Sequence, residues 1–328
     1  MSISRRSFLE RAAAGSLAAK AAVGAEGGKL TLPSRVLGRT GAKVSVLAMG
    51  GGSRFLSMPE DKAIESMNRA IDLGITYIDT AYAYGNGQSE TRVGKIMKTR
   101  RKEVFLATKV PARDGDKAQA IIEGSLERLQ TAQLDLIHIH MLMGEDDLAK
   151  IEAKDGVLNT LLKLRDQKVT RFIGITCHHD PFVLKTALER HDFDCTQMAL
   201  NAALVGMKPG SGGMVINPAM KPSFQTVALP VATRKNLGVI AMKVFAADGL
   251  VGQAAPEKLL YYSLSLPVSL AVVGMPTLEM IEQNTTMARA FKPMPKDEME
   301  ALESGLSSRN KMALDLYFNH HTDHYPAV

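Results

Sequence analysis

Four residues of complementary chemistry lie at or just beyond the ends of short apolar runs in the N-terminal half of the chain. Asp79 ends the run 76–79, Lys109 follows 104–108, and His140 ends 134–140. Tyr84 lies just beyond Asp79 in Thr80-Ala81-Tyr82-Ala83-Tyr84-Gly85-Asn86-Gly87. A carboxylate, an ammonium, an imidazole and a phenol suit one task between them. A phenol with a pKa of about 10 is a poor acid at neutral pH, and an ammonium beside it favours the phenolate, which makes the proton easier to give. A lysine buried alone tends to lose its proton, whereas a neighbouring carboxylate keeps it charged and in place. An imidazole can orient an oxygen next to the phenol. The sum is a proton donor aimed at a carbonyl oxygen whose carbon receives a hydride. No side chain supplies a hydride, so the chemistry implies a cofactor.

Such a set needs strands that deliver their C-terminal ends to one point. Strand-like runs at 47–49, 76–79, 104–108, 134–140, 172–176, 195–200, 239–242 and 270–273 alternate with helical patterns such as 61–73, 90–98, 118–129 and 157–167. Runs such as Val104-Phe105-Leu106 and Ala271-Val272-Val273 are apolar throughout, as expected of parallel strands covered on both faces. Eight such units predict an α/β fold, a closed (β/α)8 TIM barrel, in which sites form at the C-terminal face. A dinucleotide-binding doubly wound sheet is the rival. It would place G-x-G-x-x-G after the first strand, where this chain has Met49-Gly50-Gly51-Gly52-Ser53 without a following helical pattern. Residues 34–45 read as an N-terminal β-hairpin cap on the barrel. Residues 201–225, with Gly206, Gly210, Gly212, Gly213, Lys208 and Lys221, read as a substrate loop at the mouth or, alternatively, as a floppy surface insertion.

The 328 residues are 45% hydrophobic and 23% charged, ordinary for a globular chain with one large core. The net charge is +6, and Arg5, Arg6, Arg11 and Lys20 against Glu10 supply half of it, so the remainder gives no nucleic-acid signal. Ser4-Arg5-Arg6-Ser7-Phe8-Leu9 precedes a short, weakly apolar stretch and Val23-Gly24-Ala25, which resembles a twin-arginine (Tat) signal peptide. The expected organisation is therefore a signal and linker over 1–28 and a single barrel domain with a C-terminal helical tail over 29–328. The Tat export machinery is the expected partner and the periplasm the expected location. That stretch is too short to span a bilayer, and no later segment qualifies as a membrane span. Cys177 and Cys195 read as core residues rather than a metal or disulfide pair. The tail His320-His321-x-x-His324 reads as solvated, and no metal is assigned.

An ordered set of segments resembles the aldo-keto reductases. It runs through Tyr77-Ile78-Asp79-Thr80-Ala81, Tyr84-Gly85-Asn86-Gly87-Gln88-Ser89-Glu90, Ala107-Thr108-Lys109, Leu134-Asp135-Leu136 to His140, and Phe172-Ile173-Gly174-Ile175-Thr176. Gln197 with Asn201, Gly238-Val239-Ile240-Ala241 and Val273-Gly274 through Asn284 complete it. The resemblance implies reduction of an aldehyde or ketone by NAD(P)H, with Tyr84 as general acid, Lys109 and Asp79 as its tuning pair and His140 as the orienting residue. It implies that Thr176, Gln197 and Asn201 hold or border the nicotinamide carboxamide, and that Lys243, Gly274, Met275, Thr277 and Asn284 hold the pyrophosphate and adenosine end. NADP(H) is expected ahead of NAD(H), although Met280 stands where many members carry a cation for the adenosine 2′-phosphate. Cys177 replaces the second residue of the usual Ser-Asn pair, and Met242 stands where an aromatic often stacks on nicotinamide. The alternatives are a non-catalytic nicotinamide-binding barrel acting as a sensor or partner subunit, and an isomerase or aldolase with Lys109 as a Schiff base. The intact quartet argues against the first. His138 is expected either in the lower barrel or at the site, and His178-His179-Asp180 at the mouth.

Overall fold

Eight parallel strands close on themselves. In the computed structural model, which describes residues 31–309 except 211, 212, 218, 219 and 221, the barrel strands are β3 (Leu47–Gly50), β4 (Tyr77–Asp79), β5 (Phe105–Val110), β6 (Leu134–Ile139), β7 (Thr170–Cys177), β8 (Cys195–Ala199), β11 (Gly238–Met242) and β12 (Leu270–Val273). Each pairs with its neighbour in parallel and β12 returns to β3, which completes a (β/α)8 TIM barrel. The expected Tat segment and the histidine tail lie outside the described residues. No helix among the described residues is long and apolar enough to cross a membrane.

Strand alternation sorts the side chains into two cores. Outward residues such as Leu106, Ile137, Ile173, Ile175 and Met198 join the helices in one large cluster. Inward residues Ala48, Tyr77, Phe105, Ala107, Leu136, Cys195, Ile240 and Leu270 form a second one inside the barrel. There Tyr77 stacks on Phe105 at 5.3 Å between ring centroids, and Phe105 stacks on Phe172 at 6.2 Å, which fills the floor. The short antiparallel pair β1 (Ser34–Val36) and β2 (Lys43–Ser45) sends Leu37 and Val44 into this inner cluster, so the expected hairpin does plug the N-terminal end.

Above the floor the inward positions turn polar. His138 on β6 lies inside the barrel and is completely buried, beside Gly174 on β7. A Cβ on Gly174 would lie 2.4 Å from His138 Nδ1 and 2.7 Å from the Cys195 carbonyl oxygen, so the imidazole occupies the room that the glycine leaves. Of the two places expected for His138, the structure selects the lower barrel.

The segment 201–225 differs from the expected loop. It folds as an antiparallel pair, β9 (Gly206–Gly210) and β10 (Gly213–Asn217), followed by a helical turn at Phe224–Val227. Met207, Ile216 and Phe224 are buried in the outer core, and this apolar anchorage organises a stretch whose glycines suggested a loop. The segment Ser53–Leu56 also forms one helical turn directly after Gly52, which the glycine run had obscured. The C-terminal helix Lys296–Arg309 packs back through Glu303, which accepts from the Tyr262 hydroxyl at 2.6 Å.

Gly174→Ala should destabilise the protein by roughly 1–3 kcal/mol through overpacking against His138 and the β8 backbone. Urea denaturation checks this, and an unchanged midpoint would contradict the packing described.

Candidate functional site

The strand ends converge at the C-terminal mouth on a cavity of about 330 Å³. Asp79, Tyr84, Lys109 and His140 all line it, together with Thr176, Gln197, Lys243 and Gly274. Lys109 is the hub. Its Nζ donates to Asp79 Oδ1 at 2.5 Å, to the Thr80 carbonyl at 2.9 Å and to Tyr84 Oη at 3.4 Å, so every ammonium proton has an acceptor. The same nitrogen sits 4.9 Å from the Tyr84 ring centroid. The His140 ring meets Tyr84 edge to face at 5.7 Å, so imidazole and phenol share one wall.

Burial sets the electrostatics. It pulls the Lys109 amine down and pushes the Asp79 carboxyl up from their ordinary values, and each partner's charge works against the shift of the other. His140 is driven well below the usual imidazole range, first by burial and then by the Lys109 charge, and His138 follows for the same two reasons. His140 therefore meets a ligand as a neutral ring with one donor and one acceptor.

Backbone bonds fix where these groups point. Thr80 N donates to Ala107 O at 2.9 Å and Tyr82 N to Lys109 O at 3.3 Å, which ties the turn after β4 to β5. Glu90, fully buried, accepts from Thr108 Oγ1 at 2.6 Å and from Arg128 Nε at 2.8 Å, and anchors the helix Gln88–Arg100 that follows the Tyr84 turn. His140 N donates to Val110 O at 2.9 Å, and the next residue, Met141, donates its N–H to Thr176 Oγ1 at 2.7 Å. Thr176 thus lines the cavity while holding the loop after β6.

The positions expected to contact a nicotinamide cofactor separate into two sets. Thr176, Gln197, Lys243 and Gly274 line the cavity; Asn201, Met275, Thr277 and Asn284 do not. Asn201 spends its amide on Val205, donating to its carbonyl at 3.0 Å and accepting from its N–H at 3.2 Å, which shapes the entry to β9. Thr277 caps the helix Leu278–Ala290 by accepting from Met280 N, and Asn284 Nδ2 donates to Met280 O at 2.7 Å. Met275 is buried, whereas Met280 is exposed and brings no charge. Cys177 faces the outer core, where its thiol donates to Leu142 O at 3.1 Å and burial raises its pKa to about 12.

A nicotinamide fits this wall on one specific ground. Gln197 Oε1 is buried with no hydrogen-bond partner, and a carboxamide N–H is the donor that such an oxygen requires. Among the lining residues that the sequence did not single out are Phe245, Arg54 and Asp248. Arg54, after β3, forms an ion pair with Asp248, after β11. The loop that carries Asp248 is strained, since Lys243, Ala246, Ala247 and Asp248 hold φ between 47° and 74° without being glycine.

A model of the aldo/keto reductase family matches residues 46–259. L-Galactose dehydrogenase of Arabidopsis thaliana is 28% identical over 310 residues, covering 80% of this chain and 90% of its own. Among solved structures, an aldo-keto reductase of Bacillus halodurans in its holo form superposes with a TM-score of 0.69 at 23% identity, covering 84% of this chain and 96% of its own. An aldo-keto reductase of Klebsiella pneumoniae in complex with NADPH superposes at 0.66 and 22% identity, covering 87% of this chain and 98% of its own.

The buried histidines set a pH limit on stability. Folding keeps His138 and His140 neutral where the unfolded chain takes up protons, so the stability is fully present above the ordinary value of 6.5 and is lost as pH falls below it. Each histidine should cost roughly 1 kcal/mol per pH unit over that window. Thermal melts from about pH 7.5 down to about pH 5.5, across the ordinary histidine value, should show a falling midpoint, and His138→Leu should flatten the slope.

Proposed function

The chain belongs to the aldo/keto reductase family, and on that premise we propose that this oxidoreductase transfers a hydride from NADPH to the carbonyl carbon of an aldehyde or ketone, with Tyr84 protonating the oxygen. The observation that carries the proposal is the Lys109 ammonium held between Asp79 Oδ1 and Tyr84 Oη. The bound nicotinamide supplies the hydride. Gln197 and Thr176 would hold its carboxamide, and Lys243 and Gly274 would lie toward its phosphates. The NADPH bound to the Klebsiella pneumoniae neighbour supports the choice of cofactor.

The side chains divide the remaining work. Neutral His140 offers its donor to the carbonyl oxygen and keeps that oxygen beside Tyr84. Tyr84 gives up its proton as negative charge appears on the substrate oxygen. The Lys109 ammonium stabilises the charge then left on Oη, and Asp79 keeps the ammonium charged in a buried site that would otherwise strip its proton. Export by the twin-arginine route is part of the proposal, supported by Arg5 and Arg6 ahead of the small apolar stretch.

Tyr84→Phe should lower kcat for a reactive aldehyde by about two orders of magnitude or more, while fluorescence titration still shows NADPH binding. Reduction as fast as in the wild type would sink the assignment of Tyr84. Replacing Arg5 and Arg6 by Lys should retain the protein in the cytoplasm, as read by cell fractionation.

A further inference from the structure

A second imidazole faces the proposed substrate. His178, immediately after β7, is 3% exposed and lines the same cavity as His140 and Tyr84. The two imidazoles are near enough that charge on His178 would oppose charge on His140.

The turn that carries His178 is clamped on both sides. Met207 N, on β9, donates to His178 O at 2.6 Å, and His179 Nδ1 lies 3.1 Å from Met207 O. Gly206 approaches so closely that a Cβ there would lie 2.6 Å from His178 O and 2.2 Å from Met220 Cε. On the other side Cys177 Sγ donates to Asp180 O at 3.3 Å, and the Asp180 carboxylate caps the helix Pro181–Arg190 by accepting from Phe182 N and Val183 N. The hairpin β9–β10 thus sets the backbone from which His178 enters the cavity.

We propose that His178 is a specificity-determining residue that binds a hydroxyl on the carbon next to the reacting carbonyl, and so favours an α-hydroxy carbonyl compound over the analogue without that hydroxyl. The inference rests on the assignment of the cavity to carbonyl reduction. With the carbonyl oxygen held by Tyr84 and His140, an oxygen on the adjacent carbon meets the polar side chains of the same wall, His178 among them. A hydroxyl is both donor and acceptor, which matches an imidazole. A site built to hydrogen-bond a substrate hydroxyl discriminates strongly against the analogue that lacks it.

The test compares lactaldehyde with propanal, which differ by that one hydroxyl, in the wild type, His178→Phe and Gly206→Ala with saturating NADPH. The ratio of kcat/KM for lactaldehyde over propanal should fall by about tenfold or more in His178→Phe and in the same direction in Gly206→Ala. A ratio that stays within about twofold, or an equal loss for both aldehydes, overturns the proposal. A second measurement does not need turnover. In NMR spectra of the full chain, with and without NADP, propylene glycol should move the His178 ring resonance and propanol at equal concentration should not; movement by both or by neither overturns the proposal. If the wild type reduces neither aldehyde, the reductase reading falls, and the ring titration still decides the role of His178.

Discussion

The buried pair Lys109–Asp79 is the constraint around which the rest is arranged. Both side chains are almost wholly removed from water, and removing either charge from water costs several kcal/mol before any return. The return comes from geometry. Three acceptors surround one ammonium, and two of them belong to the turn after β4, so the same bonds that compensate the lysine also fix the phenol. The site is therefore stabilised as a unit rather than residue by residue, and loss of either ion leaves the other buried without compensation.

The lysine charge has a second effect, on its neighbours. It helps to keep His138 and His140 neutral, so beside the Lys109–Asp79 ion pair these two inward rings are dipoles rather than charges. In a low-dielectric chamber of that kind fixed donors interact more strongly with charge that develops on a bound oxygen, because little reorganises when the charge appears. The strained loop carrying Lys243 and Asp248, and the Arg54–Asp248 ion pair, line the same cavity.

Much of this is legible in the amino-acid sequence. The eight barrel strands and the four polar strand-end groups follow from a simple rule: apolar runs alternate with helical periodicity, and chemistry gathers where such runs end. The remainder depended on information that a linear pattern does not hold. Asn201 and Thr277 have the right types in the right places, yet Asn201 spends both amide atoms on the Val205 backbone and Thr277 Oγ1 accepts from Met280 N. Arg54 and Asp248 meet across most of the chain, so neither predicts the other. Phe245 reaches the cavity through a loop whose backbone no propensity favours. The hairpin β9–β10 hid behind its glycines, since its register depends on the burial of Met207 and Ile216 against the rest of the protein.

Strand alternation separates the inner core from the outer one, and that separation bears on how such a chain can change over evolutionary time. Outward positions answer to helix packing, where volume-conserving swaps are tolerated. Inward positions answer to a filled floor and a charged rim, where little else fits. Neutral drift can then rewrite one face of every strand while the other stays nearly fixed, so that distant descendants share a two-residue rhythm of inward side chains long after their overall identity has faded.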